Sequence, residues 1–510
     1  MAVLALGVPC ALAPSAELRA QQQPDAGTLL RQQPAPPQVA PAKPSAVKPA
    51  AAAASVPDTG PRFLVKGFRI SGATHIPEAE LAEQLKDFVG QQLSFTQLQR
   101  AAQLLVGYHS DKGYLVRVVL PPQDVKDGIV GLRVIEGRRG EVRINKKGER
   151  IEDARVRRFV EERLGVGEPM RLRILAETAA ILTEQPGIDV FSEVAQGKAE
   201  STVDVIINAV ETPLLNFDVN ANNHGSRGTG EAEYGGSVIL SNPTGSFDLA
   251  SALVSASEGS SFGRADYSLA VGDRGLRIGA HVSHLRYRLT QDVFAALGAN
   301  GTARAFGLTA SYPLARQTAY RLDVMAGYEN RELVDRAAAG ETSNRRVNVA
   351  NVGLGGFVTD ELLGGGTNLF SVRLHAGSSD QRNAAALAAD GTTRRVQGSS
   401  QKLDYNYGRV QPLTPALTLN ATVRGQFAGK NLDSSERFSL GGPRGVRAYP
   451  VGEAIGDAGT LFAADLGWRL NPTLEASVFF DHGAVQLNRS TWAGWNAANP
   501  LLNNRYDLSG

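Results

Sequence analysis

The sequence has 510 residues but only one cysteine, Cys10, and no apolar run long enough to make a membrane-spanning helix. Such a helix needs about 20 mostly apolar residues. The absence does not exclude a membrane protein, because the strands of a transmembrane barrel alternate apolar and polar residues. The 53 basic and 51 acidic residues leave a net charge of +2, which indicates neither nucleic acid nor an acidic partner.

Catalytic and metal-binding patterns are also lacking. The seven histidines show no paired ligand spacing, and His281 and His284 point to opposite faces of a predicted strand. Gly364–Gly366 lacks the lysine and helix of a phosphate loop. Residues 259–263 (GSSFG) match a nucleophile elbow but join two alternating strands, which predicts a hairpin turn. We therefore expect no enzyme, cofactor or metal.

The N-terminal segment is predicted to direct export. Residues 1–20 are signal-like, with an apolar core from Ala2 to Leu12, although no Lys or Arg precedes that core and the true start could lie upstream of Met1. Without this segment the chain has no cysteine, which suits an oxidising periplasm. A lipid on Cys10 is disfavoured, because Gly7-Val8-Pro9 is not the usual small-residue context. Residues 21–33 predict a short helix with Asp25 near its start, and residues 34–61 predict a Pro/Ala linker.

Two similar units follow, each with the order β-α-α-β-β. In residues 62–139 the strand pattern covers Phe63–Ile70, Tyr114–Leu120 and Ile129–Ile135, with helical spacing in 77–89 and 94–109. Ser94 is a predicted N-cap and Gly113 a predicted helix end. Residues 140–212 repeat this order, with strands at 141–144, 190–195 and 202–210 and helices at 154–164 and 170–185. A tandem repeat of one small domain is therefore predicted.

From residue 213 to 510 the helical period disappears and alternating segments of about ten residues take over. In 417–427 one face is Leu417, Leu419, Ala421, Val423 and Phe427, and the other is polar. A soluble sandwich would also alternate, but segments of this length with charged residues on the polar face favour a transmembrane barrel. We count about thirteen strands up to Leu487, and another begins near Arg505.

Three stretches together resemble the outer-membrane transporters of bacterial two-partner secretion, the family of haemolysin-activator and filamentous-haemagglutinin exporters. The first resembles that family's polypeptide-transport-associated (POTRA) domain and comprises Gly113, Tyr114, Pro121, Gln123, Gly128, Glu136 and Gly137. The second resembles its in-folded pore loop and comprises Gly441, Gly442, Val446, Arg447, Ala448 and Tyr449. The third resembles its inner-wall motif and comprises Phe480, Asp481 and Gly483.

The resemblance implies a mainly β fold, with two α/β POTRA domains before a sixteen-stranded type of barrel. The strand count then implies that about three C-terminal strands are missing. It further implies a monomer in the outer membrane, in contact with the bilayer and lipopolysaccharide, with its front domains in the periplasm. The partner would be one large secreted protein of haemolysin or adhesin type with an N-terminal secretion domain.

Within this framework, Arg447 and Asp481 are the expected functional pair. Strand parity places Asp481 with Glu475 and Ser477 on the lumenal face, where a loop arginine could bind it bidentately. A competing interpretation is that Arg447 is an ordinary solvated arginine. Ala448 stands where many relatives of the superfamily have glycine, so the local backbone lacks that freedom.

The sequence leaves open what each part of the chain does. The POTRA domains could receive an extended client on a strand edge, or serve only as spacers. The helix in 21–33 could plug the barrel or belong to a disordered leader. The whole chain could instead be a barrel-assembly factor, or a passive porin, which the two front domains argue against.

Overall fold

The computed structural model describes residues 23–37, 61–125, 127–291, 297–497 and 500–510. The predicted signal-like segment and most of the predicted linker lie outside these ranges. Within them, no helix combines the length and apolar character needed to cross a membrane.

The first helix, α1 (Ala26–Gln32), lies inside the large sheet described below. Asp25 caps it by accepting a hydrogen bond from the Thr28 N–H at 2.9 Å. Leu29 is buried among inward-facing residues of the sheet, including Leu285 and Leu333. The sequence prediction of a short helix near Asp25 is therefore confirmed.

The first front domain runs from β1 to β5. Its elements are β1 (Arg62–Leu64), β2 (Gly67–Ser71), α2 (Glu78–Gln84), β3 (Gln92–Ser94), α3 (Phe95–Asp111), β4 (Val116–Val119) and β5 (Ile129–Glu136). The main sheet has the order β2-β5-β4, and β1 pairs separately with β3. Ser94 forms a capping box with Gln97 at the start of α3, and Gly113 follows its end with φ +86°.

The prediction of one strand over Phe63–Ile70 is wrong. The strand breaks at Val65 and Lys66, because the chain changes partners there. The Val65 N–H still bonds the Gln91 carbonyl at 3.0 Å, whereas the Lys66 N–H bonds the Gly128 carbonyl at 2.7 Å. Residues before the break therefore pair with β3, and residues after it pair with β5.

The second front domain runs from β6 to β8 and repeats the first. Its elements are β6 (Arg138–Lys147), α4 (Asp153–Glu161), α5 (Leu172–Thr183), β7 (Ile188–Gln196) and β8 (Thr202–Glu211). The order β6-β8-β7 is the same arrangement of first, last and middle strand as in β2-β5-β4. The predicted tandem repeat is confirmed.

The rest of the chain forms one antiparallel sheet of 14 strands. They are β9 (Leu215–Asn222), β10 (Glu233–Ser241), β11 (Leu249–Ser257), β12 (Ser260–Val271), β13 (Leu276–Arg288), β14 (Asn300–Arg316), β15 (Tyr320–Ala337), β16 (Gly340–Asp360), β17 (Gly366–Gln381), β18 (Gly398–Pro412), β19 (Leu417–Ala428), β22 (Ala458–Arg469), β23 (Glu475–Gln486) and β24 (Arg505–Ser509). Thirteen of them end by Gln486, as the sequence predicted. Several are longer than the expected ten residues, and β16 has 21.

The two faces of this sheet differ in polarity. Phe217, Val219 and Val478 project outward and are 75%, 80% and 67% exposed, whereas inward side chains such as Gln426 and Asp481 are buried. An apolar outer face and a polar interior are what a barrel needs in lipid. The pattern at residues 259–263 is a hairpin, since β11 and β12 pair up to Ser257 and Ser260. One further helix, α6 (Ala384–Thr392), follows β17.

The second front domain packs against turns that connect neighbouring strands of the large sheet. Phe247, in the turn between β10 and β11, is 1% exposed and belongs to the core of that domain. Its ring meets the Phe159 ring edge-on at 5.8 Å. The Arg316 Nε donates to Glu184 at 2.9 Å across the same junction. The contact therefore combines shared apolar packing with an ion pair.

Candidate functional site

The candidate site is centred on the pore loop, residues 429–457 between β19 and β22, which folds back against the inner wall. Within it β20 (Phe438–Ser439) pairs with β21 (Ile455–Gly456). Leu440 and Val446 are fully buried in an apolar cluster with wall residues Leu461 and Val485. A Cβ at Gly483 would lie 2.5 Å from the Leu440 side chain, so this glycine makes room for the loop.

Glycines shape the tip of the pore loop. Gly442 has φ +107°, a conformation that favours glycine. A Cβ at Gly441 would lie 2.8 Å from Glu453, and one at Gly445 would overlap the Leu440 carbonyl. The tip is therefore a compact turn that presents Arg447, with exposed Ala448 and half-buried Tyr449 following it.

Arg447 binds two carboxylates on the wall, an arrangement that we call the tip clamp. Its Nε and Nη2 donate to Asp481 Oδ2 and Oδ1 at 2.8 and 2.7 Å, and its backbone N–H donates to Oδ2 at 3.0 Å. Nη1 donates to Asp465 Oδ1 at 2.6 Å. The guanidinium also lies 3.9 Å from the centre of the Phe479 ring. Arg447 thus makes a bidentate ion pair, a second ion pair and a cation–π contact.

Strand register explains why these wall residues converge. Asp465 on β22 lies directly opposite Phe479 on β23, and Asp481 is two residues further along the same face. Asp481 is completely buried. Phe480, which the motif resemblance assigned to the inner wall with Asp481, is 51% exposed on the opposite, outer face. Phe480 therefore belongs to the motif by sequence but faces outward, as strand parity predicts, because side chains alternate along a strand.

A second set of buried charges lies at the base of the pore loop, and we call it the base cluster. Arg345 on β16 donates to Asp25 at 2.9 Å, to Asp335 at 3.1 Å and to Asp433 at 3.1 Å. These carboxylates come from the cap of α1, the wall and the loop, respectively. The Ala26 N–H also donates to Asp335 at 2.8 Å. One guanidinium therefore ties three separate parts of the molecule together.

Helix α1 touches the pore loop at both of its ends. At the first end, the Ser434 hydroxyl donates to Asp25 at 2.7 Å. Gly27 packs so closely that a Cβ would lie 2.8 Å from the Ser435 nitrogen. At the last end, Arg444 donates to the carbonyls of Gln32 and Gln33 at 3.2 and 3.0 Å. Helix and loop therefore occupy the lumen as one unit.

The residues of the predicted POTRA motif lie in the first front domain and have structural contacts. The side-chain amide of Gln123 bonds the carbonyl and the N–H of Gly131, at 2.8 and 2.6 Å, as the backbone of a neighbouring strand would. Glu136 accepts the Thr74 and His75 N–H groups at 2.6 and 3.0 Å. Burial would raise the pKa of Glu136, but the hydrogen bonds from Thr74 and His75 hold it below its usual value.

The other motif residues form turns and the junction between the front domains. Gly128 has φ +78° in the turn before β5, after the loop that begins with Pro121. The Gly137 N–H donates to the Leu115 carbonyl, and the Gly137 carbonyl accepts from Met170 at 2.7 Å. The Tyr114 ring meets the His75 ring edge-on at 4.8 Å. These contacts stabilise the first front domain and its junction with the second.

The sequence did not point to Asp465 or to the base cluster. Of that cluster only Asp25 was identified, and it was identified as the start of a helix. Asp465 had a signal, since it is the acidic residue on the inward face of β22. The base cluster had none, because its members are separated by up to hundreds of residues. The described residues also hold no group of three His, Cys, Asp or Glu side chains suited to a metal ion.

Comparisons with known proteins agree on one family. Residues 201–498 match the model described as haemolysin secretion/activation protein ShlB/FhaC/HecB, and residues 63–137 match the ShlB-type POTRA domain. The heme/hemopexin transporter protein HuxB of Haemophilus influenzae (strain 86-028NP) is 27% identical over 79% of this chain and 72% of its own. The outer membrane transporter CdiB of Dickeya dadantii is 23% identical over 80% and 73%.

Solved structures agree on the fold. CdiB from Escherichia coli superposes with a TM-score of 0.67 at 20% identity, covering 88% of this chain and 85% of that one. CdiB from Acinetobacter baumannii gives 0.58 at 18% identity, covering 86% and 82%. The barrel with its front domains is therefore a known architecture.

Proposed function

This chain belongs to the haemolysin secretion/activation protein ShlB/FhaC/HecB family, and on that premise we propose that the tip clamp and base cluster hold its export channel closed. The protein is an outer-membrane transporter of two-partner secretion, with its POTRA domains in the periplasm. The observation that carries the proposal is the bidentate contact of Arg447 with the fully buried Asp481. A barrel-assembly factor is not favoured, since the curated relatives are named as transporters.

The burial of Asp481 explains why the tip clamp would keep the channel closed. Asp481 is buried, so separating it from Arg447 leaves a carboxylate without its cation. Truncating one partner of a buried, hydrogen-bonded ion pair costs about 2–5 kcal/mol. Release is therefore unfavourable unless something replaces the lost contact. A client chain entering the lumen provides such contacts, and the loop and α1 then leave the path.

The client is a large secreted protein of haemolysin or adhesin type with an N-terminal secretion domain. Recognition falls to the front domains, because β7 and β4 are edge strands of their sheets. An extended chain can pair with such an edge through backbone hydrogen bonds, with little demand on its sequence. Phe191 on β7 is 45% exposed and offers an apolar contact beside that edge.

The protein functions as a monomer in a bilayer with lipopolysaccharide on the outer side. One chain supplies all 14 described strands of the sheet, which supports the monomer. Arg286 and Arg304 are exposed on the outer wall, and Arg304 is two residues from the exposed, apolar Phe306. Exposed cations beside an apolar belt are well placed to bind the phosphate groups of lipopolysaccharide.

The decisive experiment is a secretion assay with Arg447→Ala. Export of the cognate client is expected to fall at least about tenfold, because a loop that is no longer fixed on the wall moves within the lumen and obstructs the path of the client. The variant barrel should still reach the outer membrane, as measured by its heat-modifiable mobility in gels.

Arg346→Gln is the matched control, since it removes one arginine from the outer face of β16, where it pairs with Glu332 away from the lumen. Its export should equal that of the unmodified protein. Normal export by Arg447→Ala would contradict the role proposed for the tip clamp.

A further inference from the structure

The lumen contains a cavity of about 870 Å³ between α1, the pore loop and the wall. Five of the described arginines line it, of which Arg437 is ion-paired with Asp457 at 3.3 Å. The other four come from different elements: Arg31 on α1, Arg373 on β17, Arg424 on β19 and Arg444 on the pore loop. We call these four the arginine pocket. They bring positive charge from the helix, the wall and the loop to one place inside the export path.

None of the four forms an ion pair with a carboxylate of the described residues. Arg424 and Arg444 donate only to backbone carbonyls, and the Arg373 Nη2 contacts only the Met325 sulfur at 3.5 Å. The charges of Arg31 and Arg444 both repel that of Arg424. By contrast, Arg264 on β12 is paired with Asp266 at 2.7 Å.

The acidic side chains that line the cavity do not neutralise the positive charge of the arginine pocket. Glu233 and Asp404 also line the cavity. Asp404 is already bound by His375 at 3.0 Å and lies 3.6 Å from Lys402. Asp404 and Glu436 attract the charge of Arg31 but form no ion pair with it among the described residues. The described part of the cavity therefore has four guanidinium groups without a direct carboxylate partner, and one unengaged carboxylate, Glu233. Such a site attracts anions, because guanidinium groups in a partly shielded site bind carboxylates strongly.

We propose that the arginine pocket binds acidic segments of the exported polypeptide as it passes through the lumen. The inference rests on the proposed export function, since a polypeptide is the ligand that this path conducts. Glutamate and aspartate are the anionic side chains of a polypeptide, and each can take a bidentate contact from one arginine. Binding at α1 and the loop would also offer those two elements a new partner during opening.

The test measures binding of labelled hexaglutamate and hexalysine to the purified full chain in detergent, at low ionic strength. Hexaglutamate should bind at least about tenfold more tightly than hexalysine, and the double variant R373Q/R424Q should lose about tenfold or more in hexaglutamate affinity. The double lysine variant R373K/R424K should have an intermediate affinity, because it keeps the charge but loses the bidentate contact. Arg346→Gln, on the outer face of β16, is the matched control and should bind as the unmodified chain does.

Three results would overturn the inference. They are equal binding of the two peptides, unchanged affinity in R373Q/R424Q, and displacement of hexaglutamate by acetate at the same concentration of carboxylate, which would indicate a site for small anions only. Heat-modifiable mobility checks that each variant barrel is folded. The assay is independent of export, so normal export without hexaglutamate binding would refute this inference alone, and normal export by Arg447→Ala would refute only the proposed tip clamp.

Discussion

The pore loop is held at two places that differ in construction. The tip clamp joins two elements, the loop and the wall, and its arginine is 29% exposed. The base cluster joins three elements, and its Arg345 is 14% exposed while facing three carboxylates. The tip can therefore separate as a single contact, whereas the base can separate only if the loop and α1 move together.

The tip clamp and the base cluster also differ in the number of carboxylates that one arginine compensates. In the base cluster a single cation compensates Asp25, Asp335 and Asp433, so its removal leaves three neighbouring carboxylates. Uncompensated buried charge is among the most destabilising changes in proteins. The base cluster is thus expected to control whether α1 stays in the lumen.

Arg345→Met should have the largest effect on channel closure. Loss of the shared cation costs about 3–5 kcal/mol, which shifts the closed population by roughly a hundredfold or more. The measurement is the time-averaged conductance of the purified protein in planar bilayers, which should rise steeply. Arg264→Met is the control, since its ion pair with Asp266 touches neither α1 nor the loop. An unchanged conductance would remove the distinction between the two anchors.

Gly27→Val should have an intermediate effect. The new side chain would press against Ser434 and Ser435, and overpacking of this kind costs about 1–3 kcal/mol. Conductance should therefore rise less than in Arg345→Met. Gly391→Val in α6 is the control, because nothing lies within 4 Å of the Cβ position there. If both valine variants behave alike, the close fit of α1 against the loop does not contribute to closure.

Asp465→Asn should have the smallest effect. Asp465 is 35% exposed and can keep a hydrogen bond to Arg447 as an amide, so the loss should stay below about 1 kcal/mol. Export should change by no more than about fivefold in the secretion assay. A loss as severe as that of Arg447→Ala would mean that Asp465, and not Asp481, is the main partner.

The sequence predicted the architecture because its periodicities are local. The helical spacing in the front domains, the alternation after Leu214 and the count of strands all follow from neighbouring residues. The pairing of Arg447 with Asp481 followed from the family resemblance together with strand parity. The same parity rule, applied to Phe480, places it on the outer wall.

The features that could not be predicted from the sequence depend on long-range contacts. Asp25, Asp335 and Asp433 meet only after the barrel has formed around α1, and nothing in their local sequence marks them. The break at Val65 likewise depends on where β3 and β5 lie. The arginine pocket is of the same kind, since its four residues come from four elements.

Phe247 also bears on the order of assembly. The second front domain packs this side chain into its core, although the residue belongs to a turn of the barrel. Burying a phenylalanine stabilises a core by about 3 kcal/mol or more. A chain whose barrel has not yet formed therefore carries a front domain short of that stabilisation and with an open apolar pocket. The domain is therefore expected to reach its full stability only after the barrel has formed.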